Sequence, residues 1–124
     1  MKEAVSGAKP VGAYSPGVIA EGRFIYVSGQ GPVRDGKIEL GTIEEETALV
    51  LDNISAILES ADASFADVVR CGVFLADLND FASMNAVYER TIPVPLPART
   101  TVGAALPLGI KVEIDCVAVL PPSR

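Results

Sequence analysis

Apolar residues recur at every third or fourth position in two stretches of the chain, which is the spacing of an amphipathic helix. The first predicted helix covers residues 42–62, with Thr42 as its N-cap and Glu45 at the capping-box position. The second covers residues 79–92 and ends at the proline-rich segment 93–97, because proline cannot continue a helix. The expected inward positions are Val50, Leu51, Ile54, Ile57, Leu58 and Ala61 in the first helix, and Phe81, Met84, Val87 or Tyr88, and Ile92 in the second.

The remaining regular stretches are rich in β-branched and aromatic residues, as is typical of strands. Residues 18–29 predict a hairpin of two short strands around a turn at Glu21-Gly22, and residues 34–37 predict a second turn. Further strands are expected within residues 67–78, 99–105 and 110–120, with a loop at 106–109. The predicted order is therefore β-β-α-β-α-β-β, which indicates an α+β domain.

The last predicted strand separates two faces by alternation. Its inward side would be apolar: Ile110, Val112, Ile114, Cys116 and Ala118. Its outward side carries charge at the start and valines at the end: Lys111, Glu113, Asp115, Val117 and Val119. If both helices lie on the same face of the sheet, the other face is left for a ligand pocket and a subunit contact.

Composition limits the size, the partners and the location of the protein. The 124 residues fit one domain, residues 1–124, and the net charge of −6 without a run of Lys or Arg argues against a nucleic-acid or membrane partner. No apolar run reaches the roughly 18 residues that span a bilayer, and no signal-peptide pattern opens the chain, so a soluble cytoplasmic protein is expected. The mean hydropathy of +0.36 is high for a small monomer and favours an oligomer.

Histidine is absent, and the chain has two cysteines. The lack of histidine excludes a Ser-His triad and a Cys-His pair, and it removes the commonest zinc ligand. Cys71 and Cys116 both stand in apolar strand-like runs, where we expect buried free thiols rather than a disulfide. Any chemistry must therefore use carboxylate, arginine, tyrosine, hydroxyl or backbone groups.

Two opposite charges stand in the most apolar part of the chain, residues 96–119. Arg99 opens one predicted strand, and Glu113 lies in the next. A charge is rare inside a core unless it pairs with another charge or with a ligand. The residues alone favour an intersubunit ion pair and an anionic ligand equally for Arg99, and they favour a solvated strand position for Glu113.

Six segments occur in a characteristic order across nearly the whole chain. They are GAYSPGV (12–18), FIYVSGQGPV (24–33), LDNISAILESADASFADVV (51–69), FLADLNDFASMNAVYE (74–89), LPART (96–100) and VEIDCVAV (112–119). This ordered set resembles the RidA family, also called YjgF/YER057c/UK114 and, under an older label, endoribonuclease L-PSP. The resemblance implies a chorismate-mutase-like α+β fold with two helices on one face of a mixed sheet, and a homotrimer with active sites at the subunit interfaces.

The resemblance also implies an activity, without a cofactor: hydrolytic deamination of reactive 2-enamine and 2-imino acids such as 2-aminoacrylate, 2-iminopropanoate and 2-iminobutanoate to 2-keto acids and ammonia. In its catalytic pattern Arg99 would bind the substrate carboxylate, Glu113 would place the attacking water, and Tyr14 would be the third catalytic residue. The implied substrate-binding positions are Arg99, Ser28, Gly29, Asn85 and Thr101. Three of these residues have a plainer interpretation: Tyr14 as a packed aromatic, Ser28 as a local backbone cap, and Asn85 as a partner of a loop carbonyl.

The chain also departs from the family pattern. Ala13 and Pro16 stand where the family usually has proline and glutamine, and Thr101 and Gly103 stand where it often has cysteine and glutamate. The segment 91–97 is shorter and less aromatic than usual. These differences concern the wall of the cleft, so they leave the reaction class in place and the preferred substrate size open.

The chemistry of these residues agrees with that activity. A guanidinium can hold a carboxylate through two parallel hydrogen bonds, and a second carboxylate can place water at the electrophilic C=N carbon without a metal. Two alternatives stand beside the deaminase: a non-catalytic module that binds a small 2-keto acid, and a ribonuclease. The absence of histidine and of a basic patch, with a sequence pI near 4.5, argues against the ribonuclease.

Overall fold

The computed structural model describes residues 1–122. Within these residues there are two helices, α1 (Ile43–Ser60) and α2 (Phe81–Thr91), and neither is long and apolar enough to cross a membrane. The main sheet contains β3 (Phe24–Gln30), β6 (Val68–Leu75), β7 (Ala98–Gly103) and β8 (Val112–Val119). Two small sheets pair β1 (Lys2–Val5) with β2 (Gly17–Ala20), and β4 (Val33–Arg34) with β5 (Lys37–Ile38). Single turns of 3-10 helix lie at Phe65–Asp67, Leu78–Asp80 and Pro107–Gly109.

The strand order of the main sheet is β3-β8-β6-β7. β8 runs antiparallel to both of its neighbours, whereas β7 runs parallel to β6. A parallel pair requires a crossover connection, which α2 supplies between β6 and β7. Buried side chains of α1 and α2 share one core cluster with the inward residues of β6 and β8. Both helices therefore cover the same face of a mixed sheet, and the expected α+β class is confirmed.

The opposite face of the main sheet is left uncovered within residues 1–122. It presents Tyr26 of β3, which is 76% exposed, and Val102 of β7, which is 41% exposed. Phe74 of β6 and Val117 of β8 lie on the same face, because they are the register partners of Val102 and Tyr26. Glu113 and Asp115 of β8 lie on the same face, so it is mixed in polarity. Exposed apolar side chains on a sheet face are typical of a surface that packs against another molecule.

The first helix begins where its cap residues predict. Thr42 Oγ1 accepts a hydrogen bond from the Glu45 N–H at 3.1 Å, and Glu45 Oε1 accepts one from the Thr42 N–H at 2.9 Å. The backbone hydrogen bond from Thr42 lowers the pKa of the Glu45 carboxyl. Most of the predicted apolar face is confirmed, since Val50, Leu51, Ile54 and Leu58 are buried and Ile57 packs against the same core. Ala61, also predicted inward, is only partly buried, because α1 ends at Ser60 and Ala61 is its C-cap.

The predicted hairpin at residues 18–29 is wrong in its pairing. Both strands exist, but β2 pairs with β1 and β3 pairs with β8. Local β-propensity marks a strand without identifying its partner. Val27 of β3 is buried and is the register partner of Cys116 in β8. β3 has seven residues, so the four-residue β2 could pair with only part of it, whereas β8 pairs along its length. The chain from β2 to β3 instead passes from the small sheet to the main one.

The second predicted turn is confirmed, and so is most of the alternation in β8. Asp35 and Gly36 have φ values of 52° and 76°, as a two-residue hairpin turn between β4 and β5 requires. The predicted inward residues of β8 are all buried. Val119, predicted for the outward side, is buried as well, because Gly22 lies against its Cγ2 atom.

One carboxylate is buried where α1 meets the start of β8. Glu46 is 1% exposed, and its Oε1 atom accepts a hydrogen bond from the Lys111 N–H at 2.8 Å. Its Oε2 atom accepts from the Gly41 N–H at 3.2 Å and from Lys111 Nζ at 3.1 Å. Glu46 therefore fixes the residue that precedes the strand carrying Glu113.

Replacing Glu46 by alanine is expected to lower the free energy of unfolding by about 2 kcal/mol, because two backbone N–H groups lose their acceptor. The loss stays moderate because the Lys111 side chain is 40% exposed and keeps part of its water. Urea unfolding of Glu46→Ala should be compared with Glu44→Ala, which removes an exposed carboxylate from the same helical turn. Equal destabilisation by the two variants would contradict this role.

Candidate active site

Arg99 lies on the helix-covered face of the main sheet. It is the register partner of Cys71, whose side chain is buried in the core. The Cζ atom of Arg99 is 4.8 Å from the centroid of the Tyr88 ring and 5.5 Å from that of Phe81. The Tyr14 ring is 5.8 Å away. The guanidinium is thus half-buried in an aromatic recess, and this burial lowers its pKa.

The guanidinium has one side-chain partner in its own chain. Arg99 Nη1 donates a hydrogen bond to Asn85 Oδ1 at 2.6 Å, so Asn85 serves the arginine rather than a loop carbonyl. The ion pairs within residues 1–122 are Arg34–Glu39 and Lys111–Glu46, so no carboxylate of this part of the chain pairs with Arg99. Arginine stays protonated even when partly desolvated. The recess therefore holds a cation with unused donors, which favours an anionic ligand.

Tyr14 forms part of the recess wall, and its hydroxyl has a local partner. The Tyr14 hydroxyl oxygen accepts a hydrogen bond from the Val11 N–H at 3.2 Å, which leaves its own proton free for donation. Gly12 brings the same loop close to the guanidinium, since a Cβ atom at Gly12 would lie 3.2 Å from Arg99 Nη2. Tyr14 can thus act as a wall and a hydrogen-bond donor beside Arg99.

Two buried hydroxyls near Arg99 have no hydrogen-bond partner within residues 1–122. Thr101 follows Arg99 by two residues on β7 and therefore shares its face of the sheet, and its Oγ1 atom is buried and unpaired. The Tyr88 hydroxyl is also buried and has no hydrogen-bond partner within these residues. Burial raises the pKa of Tyr88 well above its ordinary value, so this hydroxyl stays protonated.

Glu113 lies on the uncovered face of the sheet, on the side opposite to Arg99. Its register partner is Phe74, and the inward residues Val112 and Ile114 flank it. Its carboxylate packs directly over the backbone of Gly29, where a Cβ atom would lie only 2.9 Å from Glu113 Cδ. Any larger residue at position 29 would displace the carboxylate.

Ser28 and Gly29 form a bulge beside Glu113. Both residues stand opposite the single residue Asp115, because Val27 pairs with Cys116 and Gln30 pairs with Ile114. Such a bulge interrupts the regular ladder of strand hydrogen bonds. The Ser28 carbonyl accepts a hydrogen bond from Gln30 Nε2 at 3.0 Å, and Ser28 as a whole residue is exposed. The backbone of the bulge, rather than a buried hydroxyl, is what this segment offers a ligand.

The predicted site residues therefore fall into two groups. Arg99, Asn85, Tyr14 and Thr101 gather on the helix-covered face at the edge strand β7, and Glu113 gathers with Ser28 and Gly29 on the uncovered face. One chain therefore holds a guanidinium group around Arg99 and a carboxylate group around Glu113, and the two groups lie on opposite faces of its main sheet.

The cysteines stay outside this chemistry. Cys71 and Cys116 are free, buried and direct register partners on β6 and β8, as their apolar setting predicts. Burial raises the pKa of Cys71 to about 11 and that of Cys116 to about 12. Both thiols are therefore protonated at neutral pH, and a protonated thiol is a poor nucleophile.

A surface cavity of about 920 Å³ lies elsewhere, between Met1 and residues 120–122. Met1, Glu21, Arg23, Asp62 and Pro122 are among its lining residues, and none of the predicted site residues is. The charged residues that line it, Glu21, Arg23 and Asp62, are all exposed, and none of the described lining residues is a buried polar group. The cavity is therefore not a candidate active site.

The sequence pattern did not predict which further residues surround the Arg99 guanidinium. It placed Phe81 and Tyr88 among core positions, although both rings contact the guanidinium as well. Gly12 and Ser15 lie in the GAYSPGV segment, but the sequence pattern predicts no role for them. Their contacts cross between segments that are distant in sequence, so periodicity could not reveal them.

A sequence profile described as endoribonuclease L-PSP matches residues 5–120 of the chain. The chain is 44% identical over 104 residues to a protein of Schizosaccharomyces pombe named mmf2, mitochondrial, with 81% of this chain and 82% of the relative covered. It is 41% identical over 115 residues to the 2-iminobutanoate/2-iminopropanoate deaminase of Rattus norvegicus, with 90% of this chain and 83% of the relative covered.

Solved structures with the same fold include two at 38% identity. The crystal structure of RidA from an Antarctic Psychrobacter species superimposes with a TM-score of 0.75 and covers 90% of this chain and 92% of its own. The crystal structure of yeast Mmf1 also gives a TM-score of 0.75 and covers 96% of this chain and 98% of its own. The two structures support the strand and helix arrangement described above along nearly the whole chain.

Proposed function

The chain belongs to the endoribonuclease L-PSP family, which includes RidA, and we propose that it hydrolyses 2-imino acids, and the 2-enamines that tautomerise to them, to 2-keto acids and ammonia. One observation carries the proposal: Arg99 is a half-desolvated guanidinium in an aromatic recess, without a carboxylate partner in residues 1–122. A small anionic substrate supplies the missing charge.

The first step is the capture of the substrate carboxylate. Arg99 forms two parallel hydrogen bonds with it, while Asn85 holds Nη1 and limits the rotation of the guanidinium. The proton of the Tyr14 hydroxyl and the unpaired Thr101 Oγ1 are available to the imine nitrogen or to an ordered water. The aromatic wall of Phe81 and Tyr88 excludes bulk water from one side of the substrate.

The second step is the addition of water to the C=N carbon. The imine nitrogen is first protonated by solvent, which gives the iminium. Glu113 then accepts a proton from the attacking water while the water oxygen bonds to the iminium carbon and the C=N π bond breaks, so that a carbinolamine forms. Glu113 passes this proton to the nitrogen of the carbinolamine. It then takes the hydroxyl proton as the C=O bond forms and the C–N bond breaks, ammonia leaves, and Glu113 returns the proton to solvent. Backbone groups of the Ser28–Gly29 bulge are placed to hydrogen-bond the developing oxygen. The net change is one imine and one water to one keto acid and one ammonia.

This mechanism needs a second copy of the chain. Arg99 and Glu113 lie on opposite faces of one sheet, so we propose a homotrimer in which Arg99 of one copy faces Glu113 of its neighbour across the subunit interface. The exposed Tyr26 and Val102 on the uncovered sheet face support burial against another copy. A cytoplasmic location is part of the same proposal, although relatives of this chain include proteins named mitochondrial.

The direct test is an imine-trapping assay on the wild-type protein. 2-Iminopropanoate or 2-iminobutanoate is generated in situ from an amino acid with an oxidase or a dehydratase, and surviving imine is trapped with semicarbazide. We expect the protein to lower the trapped fraction in proportion to its concentration, because hydrolysis competes with trapping. If the trapped fraction is unchanged while a 2-keto acid binds through Arg99, the protein is a binding module and the deaminase proposal is wrong.

A further inference from the structure

The segment that leads into the Arg99 strand cannot satisfy its own backbone. Residues 93–97 contain three prolines, which have no N–H group, and the segment precedes β7 directly. The segment therefore has few N–H donors of its own, and the carbonyls of the partly buried Leu96 and the buried Pro97 need donors from elsewhere.

The N-terminal part of the chain supplies these donors. Lys2 Nζ donates to the Pro95 carbonyl at 2.8 Å, the Ser15 hydroxyl donates to the Leu96 carbonyl, and the Ser15 N–H donates to the Pro97 carbonyl at 3.0 Å. Ser15 thus makes two hydrogen bonds to the two residues that come just before β7. These bonds join positions more than eighty residues apart in sequence, so they set the position of one segment against the other.

Ser15 also ends the loop that touches the guanidinium. Gly12 and Tyr14 lie just before it, and a Cβ atom at Gly12 would lie 3.2 Å from Arg99 Nη2 and 3.4 Å from Tyr14 Cε2. The guanidinium is therefore held on one side by Asn85 and bounded on the other by a loop that Ser15 anchors. If the anchor is lost, the Nη2 side loses its boundary while the Asn85 side is unchanged.

We propose that Ser15 is a positioning residue for Arg99. Through its hydroxyl it holds the 12–14 loop against the segment that leads into β7, and so it fixes the direction in which the guanidinium presents its free donors. The kinetic consequence rests on the proposed deaminase function, whereas the structural consequence does not. A residue that acts in this way changes substrate capture more than the chemical step.

The structural consequence can be measured without any substrate. In a nitrogen-15 NMR spectrum, the Arg99 Nε–H signal is identified by its absence in Arg99→Lys, and its exchange with solvent is followed. Ser15→Ala is expected to speed this exchange about fivefold, as expected for the loss of one anchoring hydrogen bond, and Ser15→Thr should retain the wild-type rate. Ser6→Ala, at an exposed loop position, is the matched control. An unchanged exchange rate in Ser15→Ala would overturn the proposal.

The kinetic consequence distinguishes positioning from a general loss of stability. Ser15→Ala should raise KM about three- to tenfold with a smaller change in kcat, and Ser15→Thr should restore KM. In an Arg99→Lys background the same change should raise KM less than about twofold, because residues that act through one another are not additive. An equal effect in both backgrounds would mean that Ser15 acts independently of Arg99. If wild type hydrolyses no imine, the deaminase proposal fails, and the exchange rate still decides the role of Ser15.

Discussion

Replacing Arg99 by lysine is expected to lower kcat/KM for imine hydrolysis by roughly thirtyfold to a thousandfold, or about 2 to 4 kcal/mol of transition-state binding. Lysine keeps the positive charge but loses the planar fork that binds a carboxylate through two hydrogen bonds. It also loses the flat surface that stacks on the Tyr88 ring, 4.8 Å from Arg99 Cζ. The measurement is the rate of imine loss at several substrate concentrations.

The matched control for this variant is Arg34→Lys. Arg34 forms an exposed ion pair with Glu39 at 3.0 Å and is not part of the aromatic recess around Arg99, so its replacement should leave kcat/KM unchanged. The oligomer mass and the thermal midpoint of both variants must match those of wild type. Full activity of Arg99→Lys in an intact oligomer would identify Arg99 as a structural ion, and the proposed substrate contact would be wrong.

Local sequence signals account for much of the fold. Thr42 and Glu45 predict the start of α1 because a capping box is decided by residues three apart. The inward residues of β8 are predicted by alternation alone, because side chains of a strand point to opposite faces in turn. In both cases the information lies within one short segment, and the structure confirms it.

Pairing between distant segments is what the sequence pattern could not supply. The turn at Glu21-Gly22 predicts that β2 pairs with β3, whereas the pattern predicts no strand at β1, with which β2 actually pairs. The same limit applies to the site. The face of the sheet on which Arg99 lies follows from its pairing with Cys71, and that of Glu113 from its pairing with Phe74. The family resemblance named both residues, but register alone shows that they lie on opposite faces.

This separation changes what the two charges in the apolar part of the chain mean. They are not a salt bridge within residues 1–122, and the strand register prevents them from becoming one inside a single sheet. Each is instead supported by its own surroundings: Arg99 by Asn85 and aromatic rings, Glu113 by the space above Gly29. Two half-sites supported independently are what a shared interface site requires.

Mixing two inactive variants is therefore expected to restore activity. Arg99→Ala removes the carboxylate-binding half, and Glu113→Gln removes the proton acceptor, so each variant alone should lose at least about a hundredfold in kcat/KM. In trimers assembled from equal amounts of both chains, about one interface in four joins an intact Arg99 to an intact Glu113. Co-refolded mixtures should then recover roughly a quarter of wild-type activity, far above either variant alone.

The assembly state decides how this experiment is read. Light scattering should give three times the 12.9 kDa chain mass for wild type, for both variants and for the mixture. Differently tagged chains, isolated together, show that the mixed trimers formed. If mixed trimers form and activity does not recover, Arg99 and Glu113 do not act in one shared site. If the wild-type chain is instead an active monomer, the opposite-face geometry requires a different proton acceptor, because no movement within one intact sheet brings Glu113 to the face of Arg99.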